Sequence, residues 1–114
     1  MAVSVVIRYP DLPAETYDQV IASLDLDANP PAGAILHVAG AGEHGFLIAE
    51  VWQTEQTFQA FFDYRLRPAV RMLGVHSEPT VEIAPLRNIF AAEMGIVERL
   101  GSVSLPATYA GAVL

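Results

Sequence analysis

Apolar and polar positions alternate from Val3 to Tyr9, and the apolar ones are mostly β-branched, which predicts a first strand ended by Pro10. Beyond Pro10 the period changes. Asp11 can cap a helix that opens with Leu12 and Pro13, where a missing N–H costs nothing, and Tyr17, Val20, Ile21 and Leu24 recur at i, i+3, i+4 and i+7. Residues 27–33, rich in Pro and Asn, read as a loop. Strands follow at 34–39 and 46–52, then a helix capped by Thr54 whose apolar stripe is Phe58, Phe61, Phe62 and Leu66. Pro68 is expected to interrupt that helix and to open a short one at 69–73, closed by Gly74. Thr80 to Pro85 reads as a fourth strand. The order β-α-β-β-α-β is the split βαβ plan of a ferredoxin-like α+β sandwich, a single domain over residues 1–90.

The run Gly40-Ala41-Gly42-Glu43-His44-Gly45 spells G-x-G-x-x-G. A dinucleotide fingerprint needs a helix after it, whose N-terminus holds the pyrophosphate. Here a strand follows, so the glycines read as hairpin punctuation supplying positive φ. The strands around this turn are apolar on both faces. Leu47, Ala49 and Val51 alternate with Phe46, Ile48 and Trp52, and Leu36 and Val38 oppose Ile35 and His37. Helices can cover one face; a second copy of the sheet is the natural cover for the other, which predicts a homodimer. The chain from Leu100 to its end carries no charge, and the extension 91–114 is expected to pack on the partner subunit.

Composition narrows the classes. With 53% hydrophobic and 17% charged residues, the chain of 114 residues is too apolar for disorder and thinly charged for an isolated monomer. A net charge of −7 argues against nucleic acid and anionic membrane surfaces. Cysteine is absent, which excludes thiol catalysis, and every basic residue is arginine, which excludes Schiff-base and P-loop lysine chemistry. No signal peptide or long apolar run is visible, so a cytoplasmic location is expected.

The run Val51-Trp52-Gln53-Thr54-Glu55-Gln56-Thr57-Phe58 resembles the strand-ending Trp, acidic helix start and buried Phe of the antibiotic-biosynthesis-monooxygenase-like superfamily of dimeric α+β barrel proteins. Leu66-Arg67-Pro68-Ala69 resembles a helix exit in small relatives. The resemblance spans residues 3–90. It implies a dimeric barrel and a range of activities, among them cofactor-independent oxygenation of polycyclic aromatic compounds, haem degradation and isomerisation. The haem-degrading branch places a second Trp in the helix and a His near its end. This chain has Phe61 and Arg71 at those distances, which speaks against haem.

Pairing the hairpin symmetrically about its turn sets Ala39 opposite Phe46 and His37 opposite Ile48, so His37 and Glu50 become diagonal neighbours on one face. A carboxylate beside an imidazole fixes its tautomer and raises its basicity, as a general base requires. Trp52 shares that face and can either stack on an aromatic ligand or anchor the fold. Tyr9 and Tyr64 are expected to donate hydrogen bonds into the same cavity, with Phe61 lining it. Arg65, Arg67 and Arg71 around Pro68 can meet an anionic group or sit at a solvated helix end. No H-x-H or H-x-x-x-H spacing points to a metal, and no cofactor is expected. Two functions stay open. One is a small cofactor-independent monooxygenase-like enzyme, or a related isomerase or cyclase, acting on an apolar aromatic molecule with His37 as base and Glu50 orienting it. The other is a non-catalytic ligand-binding or structural homodimer, in which the same pair is a buried polar tie.

Overall fold

The structure, a computed structural model, describes residues 1–101. Strands β1 (Val3–Tyr9), β2 (Ala34–Gly42), β3 (Gly45–Trp52) and β4 (Thr80–Pro85) form one antiparallel sheet in the order β2-β3-β1-β4. Helix α1 (Ala14–Leu24) connects β1 to β2. Between β3 and β4 run α2 (Glu55–Phe61), a π-helical turn (Phe62–Leu66) and α3 (Arg67–Met72). The expected ferredoxin-like α+β plan is present.

The period-two pattern of β1 sends Val3, Val5, Ile7 and Tyr9 inward, where they pair with Trp52, Glu50, Ile48 and Phe46 of β3. Val20 and Leu24 of α1, with Phe58, Phe61, Phe62, Leu66 and Val70 of the second helical run, close over this face. The opposite sheet face is open. Val38 is 55% exposed there and Val6 44%, beside exposed Leu36 and Ala49, so apart from buried Val51 the second apolar face has little cover among the described residues.

Three local expectations are corrected. The residue before α1 is Pro13, with no side-chain cap, and Asp11 instead accepts a hydrogen bond from Ser77 Oγ. Pro68 does not interrupt the second helix. The chain widens into the π turn just before it, the Arg67 N–H reaches back to the Phe62 carbonyl, and Pro68, which has no N–H to offer, is absorbed in the first turn of α3. Gly74, at φ +94°, then ends α3, with its own N–H on the Arg71 carbonyl and that of Val75 on the Val70 carbonyl. The third correction concerns the hairpin. Its strands run on to Gly42 and Gly45, leaving a two-residue turn of Glu43 and His44. Of the three glycines only Gly45 has positive φ, at +129°, and a Cβ there would lie 2.8 Å from the Tyr9 carbonyl oxygen. Gly40 and Gly42 are strand residues.

A helix that the sequence pattern does not announce, α4 (Met94–Leu100), follows β4 with none of its residues buried. The expected packing of the uncharged end falls largely on residues 102–114, outside the described residues. Among the described residues no helix is long and apolar enough to cross a membrane.

Candidate functional site

The hairpin register decides the site. His37 stands directly opposite Glu50, rather than diagonal to it, because the pairing from Leu36 to Gly42 is displaced by two residues from the symmetric expectation, with a register shift between Ala34 and Leu36. A displacement of two preserves the face, so the two side chains still meet. His37 Nδ1 lies 2.6 Å from Glu50 Oε2. Two residues along β3, on the same face, Trp52 Nε1 donates to Glu50 Oε1 at 2.9 Å.

Glu50 is 3% exposed and is the one charged side chain in the core among the described residues. A carboxylate in that position is tolerable only if its oxygens are hydrogen-bonded, and here each oxygen has a donor. A carboxylate has no proton to give, so Nδ1 of His37 carries the hydrogen and Nε2 presents its lone pair. That lone pair is engaged as well. Tyr17 of α1 places its hydroxyl 2.6 Å from Nε2, donating to it, with the two rings within 7° of parallel. Tyr17 in turn stacks on Phe46 with ring centroids 4.5 Å apart. The result is a continuous chain, Trp52–Glu50–His37–Tyr17, leading from the core to the rim of the sheet. The His37 side chain remains 34% exposed although both nitrogens are partnered.

Burial pushes the Tyr17 phenol up to about 12 from its ordinary 10, and the carboxylates of Glu50 and Asp18 add to the effect. At neutral pH the phenol is therefore a donor. Because the folded state holds this proton more tightly than the unfolded chain, the associated stability is complete below pH 10 and is lost as pH rises from about 10 through about 12. A titration followed at 295 nm is expected to show a late tyrosinate component that shrinks in Tyr17→Phe; an unchanged alkaline limb would contradict the assignment.

The other expected site residues go elsewhere. Tyr9 is buried on the correct face, but its hydroxyl has no hydrogen-bond partner among the described residues. Burial raises its pKa, and the charges acting on it are those of Arg67, Glu78 and Arg71, remote from the relay. Tyr64 is 82% exposed, because the π turn keeps Phe62 and Leu66 inward and leaves position 64 outside. It lines a hollow of about 270 Å³ with Pro31, Phe61 and Arg65. Phe61 is buried and packs on Trp52 at 5.4 Å, supporting the anchor rather than lining a cavity at His37. The three arginines are occupied internally: Arg65 donates to the Leu24 carbonyl, Arg67 pairs with Asp63 and Glu78, and Arg71 pairs with Glu78. Tyr17 is the member that sequence reasoning missed. Its stripe position announced only that it faces the sheet.

A larger hollow, of about 440 Å³, runs along α1 and the loop after it, lined by Tyr17, Asp18, Ile21, Ala22, Asp25, Leu26 and Asp27. Of the four relay residues only Tyr17 reaches it.

No family model matches this sequence, and no curated protein matches it. Solved structures do. SnoaB, a cofactor-independent oxygenase from Streptomyces nogalater, is 16% identical with a TM-score of 0.58, over 77% of this chain and 95% of that one. A monooxygenase from the gene ActVA-Orf6 of Streptomyces coelicolor, solved with the ligand Nanaomycin D, is 22% identical with a TM-score of 0.53, over 79% and 90% of the two chains. A conserved protein from Methanosarcina mazei Go1 is 16% identical with a TM-score of 0.55, over 76% and 94%. At these identities the likeness carries the fold alone, the ferredoxin-like α+β fold that this chain shares with these proteins.

Proposed function

We propose that this chain is a small cofactor-independent monooxygenase-like enzyme that removes an acidic proton from an apolar, aromatic molecule. The observation that carries the reading is the 2.6 Å contact between His37 Nδ1 and a buried carboxylate whose second oxygen is tied to Trp52. Such a carboxylate holds the imidazole in one tautomer and stabilises the imidazolium that forms when Nε2 gains a proton. The substrate anion then reduces dioxygen. In balance, one methylene group and one molecule of dioxygen give one carbonyl group and one molecule of water, so no resident cofactor is required. The fold shared with a cofactor-independent oxygenase and a monooxygenase supports this choice among base-catalysed reactions. The working form is a homodimer joined through the open sheet face. The second reading, a non-catalytic ligand-binding or structural dimer, is favoured by one observation, the occupation of His37 Nε2 by Tyr17.

Anthrone, a neutral tricyclic ketone with a methylene between two aryl rings, tests the two. Oxygen uptake reports turnover and Trp52 fluorescence reports binding. His37→Ala is expected to lower turnover by about 10²-fold or more, the usual worth of a general base, while binding changes little. Equal turnover in both chains would remove His37 from the mechanism, and none above autoxidation in the native one leaves only the non-catalytic reading.

A further inference from the structure

We infer that Tyr17, and not His37, is the group that touches the substrate: the phenol takes the substrate's proton on its oxygen while passing its own to His37, and the substrate sits in the hollow along α1. This rests on the reading of His37 as a base, and adds to it the location of the seat and the class of molecule that fits.

Topography makes the argument. Glu50 and Trp52 are buried, and both nitrogens of His37 are taken, one by Glu50 and one by Tyr17. A molecule in the 440 Å³ hollow contacts Tyr17 without contacting any other member of the relay. The volume falls within the range of small-molecule sites. A phenol oxygen that donates one hydrogen bond keeps lone pairs free to accept another. The proton balance is complete: the substrate X–H bond breaks and its proton bonds to Tyr17 Oη, the Tyr17 O–H proton moves to His37 Nε2, and a substrate anion and an imidazolium facing the Glu50 carboxylate result. Tyr17 ends as it began, a neutral phenol. The high phenol pKa fits this role, since a tyrosinate would accept the proton and never relay it.

The lining selects the substrate class. Ile21, Ala22 and Leu26, with the Tyr17 ring, supply the apolar lining, while the carboxylates of Asp18, Asp25 and Asp27 disfavour anions. The fitting molecule is therefore a neutral aromatic compound with a weakly acidic C–H or O–H. Carboxylated or phosphorylated versions are excluded.

The test uses anthrone with the native chain, Tyr17→Phe, His37→Ala, Ala22→Trp and Ala60→Trp. Tyr17→Phe is expected to bind anthrone within about twofold, yet lose about 10²-fold in turnover, the low end of what proton-transfer catalysis supplies. The native reaction is expected to show a solvent deuterium isotope effect, because the Tyr17 O–H proton is in flight. The variant should lack it, since only the carbon-bound proton then moves. Ala22→Trp fills the hollow and should raise the KM for anthrone, whereas Ala60→Trp, in the separate hollow beside Tyr64, should not. Loss of turnover in His37→Ala with full turnover in Tyr17→Phe would overturn this inference and leave the base assignment standing. Anthrone binding blocked by Ala60→Trp and not by Ala22→Trp would likewise overturn it. Unaltered turnover in both relay variants would remove the base reading and this inference together.

Discussion

Trp52→Ala is expected to lower folding stability by about 4 kcal/mol, within the span seen when a buried large aromatic is truncated to alanine. The indole is 2% exposed, meets Phe58 edge-on at 5.9 Å and lies 5.4 Å from Phe61, so truncation opens a void among rigid rings with little freedom to collapse. Packing is only half of the loss. Trp52 Nε1 is the donor to Glu50 Oε1, and without it one oxygen of a buried carboxylate has lost its donor. Trp52→Phe separates the two contributions. It keeps the larger part of the ring packing but removes the N–H together with some indole volume, so about 2 kcal/mol or somewhat more is expected, most of it the usual cost of stranding a buried polar group. Guanidinium unfolding followed by circular dichroism measures both, with unchanged m-values as the check that the comparison is between like states. A cost under about 1 kcal/mol for the alanine variant would mean that Trp52 is not the anchor that its surroundings imply.

The hairpin shows how far sequence reasoning reaches and where it stops. That His37 and Glu50 share a face was legible, because strand periodicity is two and a slip of two residues cannot change it. Their direct opposition was not. It depended on β2 and β3 running on to Gly42 and Gly45, so that only Glu43 and His44 make the turn. Glycines that could have served as turn residues are strand residues instead, and strand propensity is a weak guide to where pairing ends. The second helix tells a similar story. Its stripe of Phe58, Phe61, Phe62 and Leu66 is core as the pattern implies, yet the π turn that shifts the helical phase before Pro68 is not announced, and Tyr64, expected to reach the cavity, is exposed. No local pattern marks such a shift.

Tyr17 is the more instructive omission. Its spacing with Val20, Ile21 and Leu24 says that it faces the sheet, and any large apolar residue would satisfy that pattern. What makes it a relay member is the approach of α1 to β2 across twenty residues of sequence, a tertiary fact. A buried tyrosine needs a partner for its hydroxyl, so the stripe should have prompted a search for an acceptor on the facing strands. β2 and β3 offer His37 and Glu50 as the titratable groups on that face. The relay could have been sought from that requirement, though not placed.

Val38→Asp is expected to convert a dimer into a monomer while leaving the fold intact. The open sheet face carries Val6, Leu36, Val38, Leu47 and Ala49, with Arg8 opposite Leu47 and Thr80, and Glu82 opposite Val6. Val38 is 55% exposed in the single chain, so a carboxylate there is solvated in the monomer and should change its stability by no more than about 0.5 kcal/mol. In a face-to-face dimer the same carboxylate would be stripped of water against an apolar partner. Its symmetry mate would bring a second one close by, at a cost of several kcal/mol. A weakening of the dimer by about 10²-fold or more follows, since each 1.4 kcal/mol is a factor of about ten. Light scattering at micromolar concentration should give twice the 12.3 kDa chain mass for the native protein and the single mass for the variant, both with native circular dichroism. A native chain that scatters as a monomer, or a variant that remains a dimer, would mean that something other than a second sheet covers this face. The relay emerges on the helical side at Tyr17, so its chemistry and the dimer contact occupy opposite faces of β2. A monomeric Val38→Asp chain should therefore keep the Tyr17–His37–Glu50 geometry, and with it the late tyrosine ionisation.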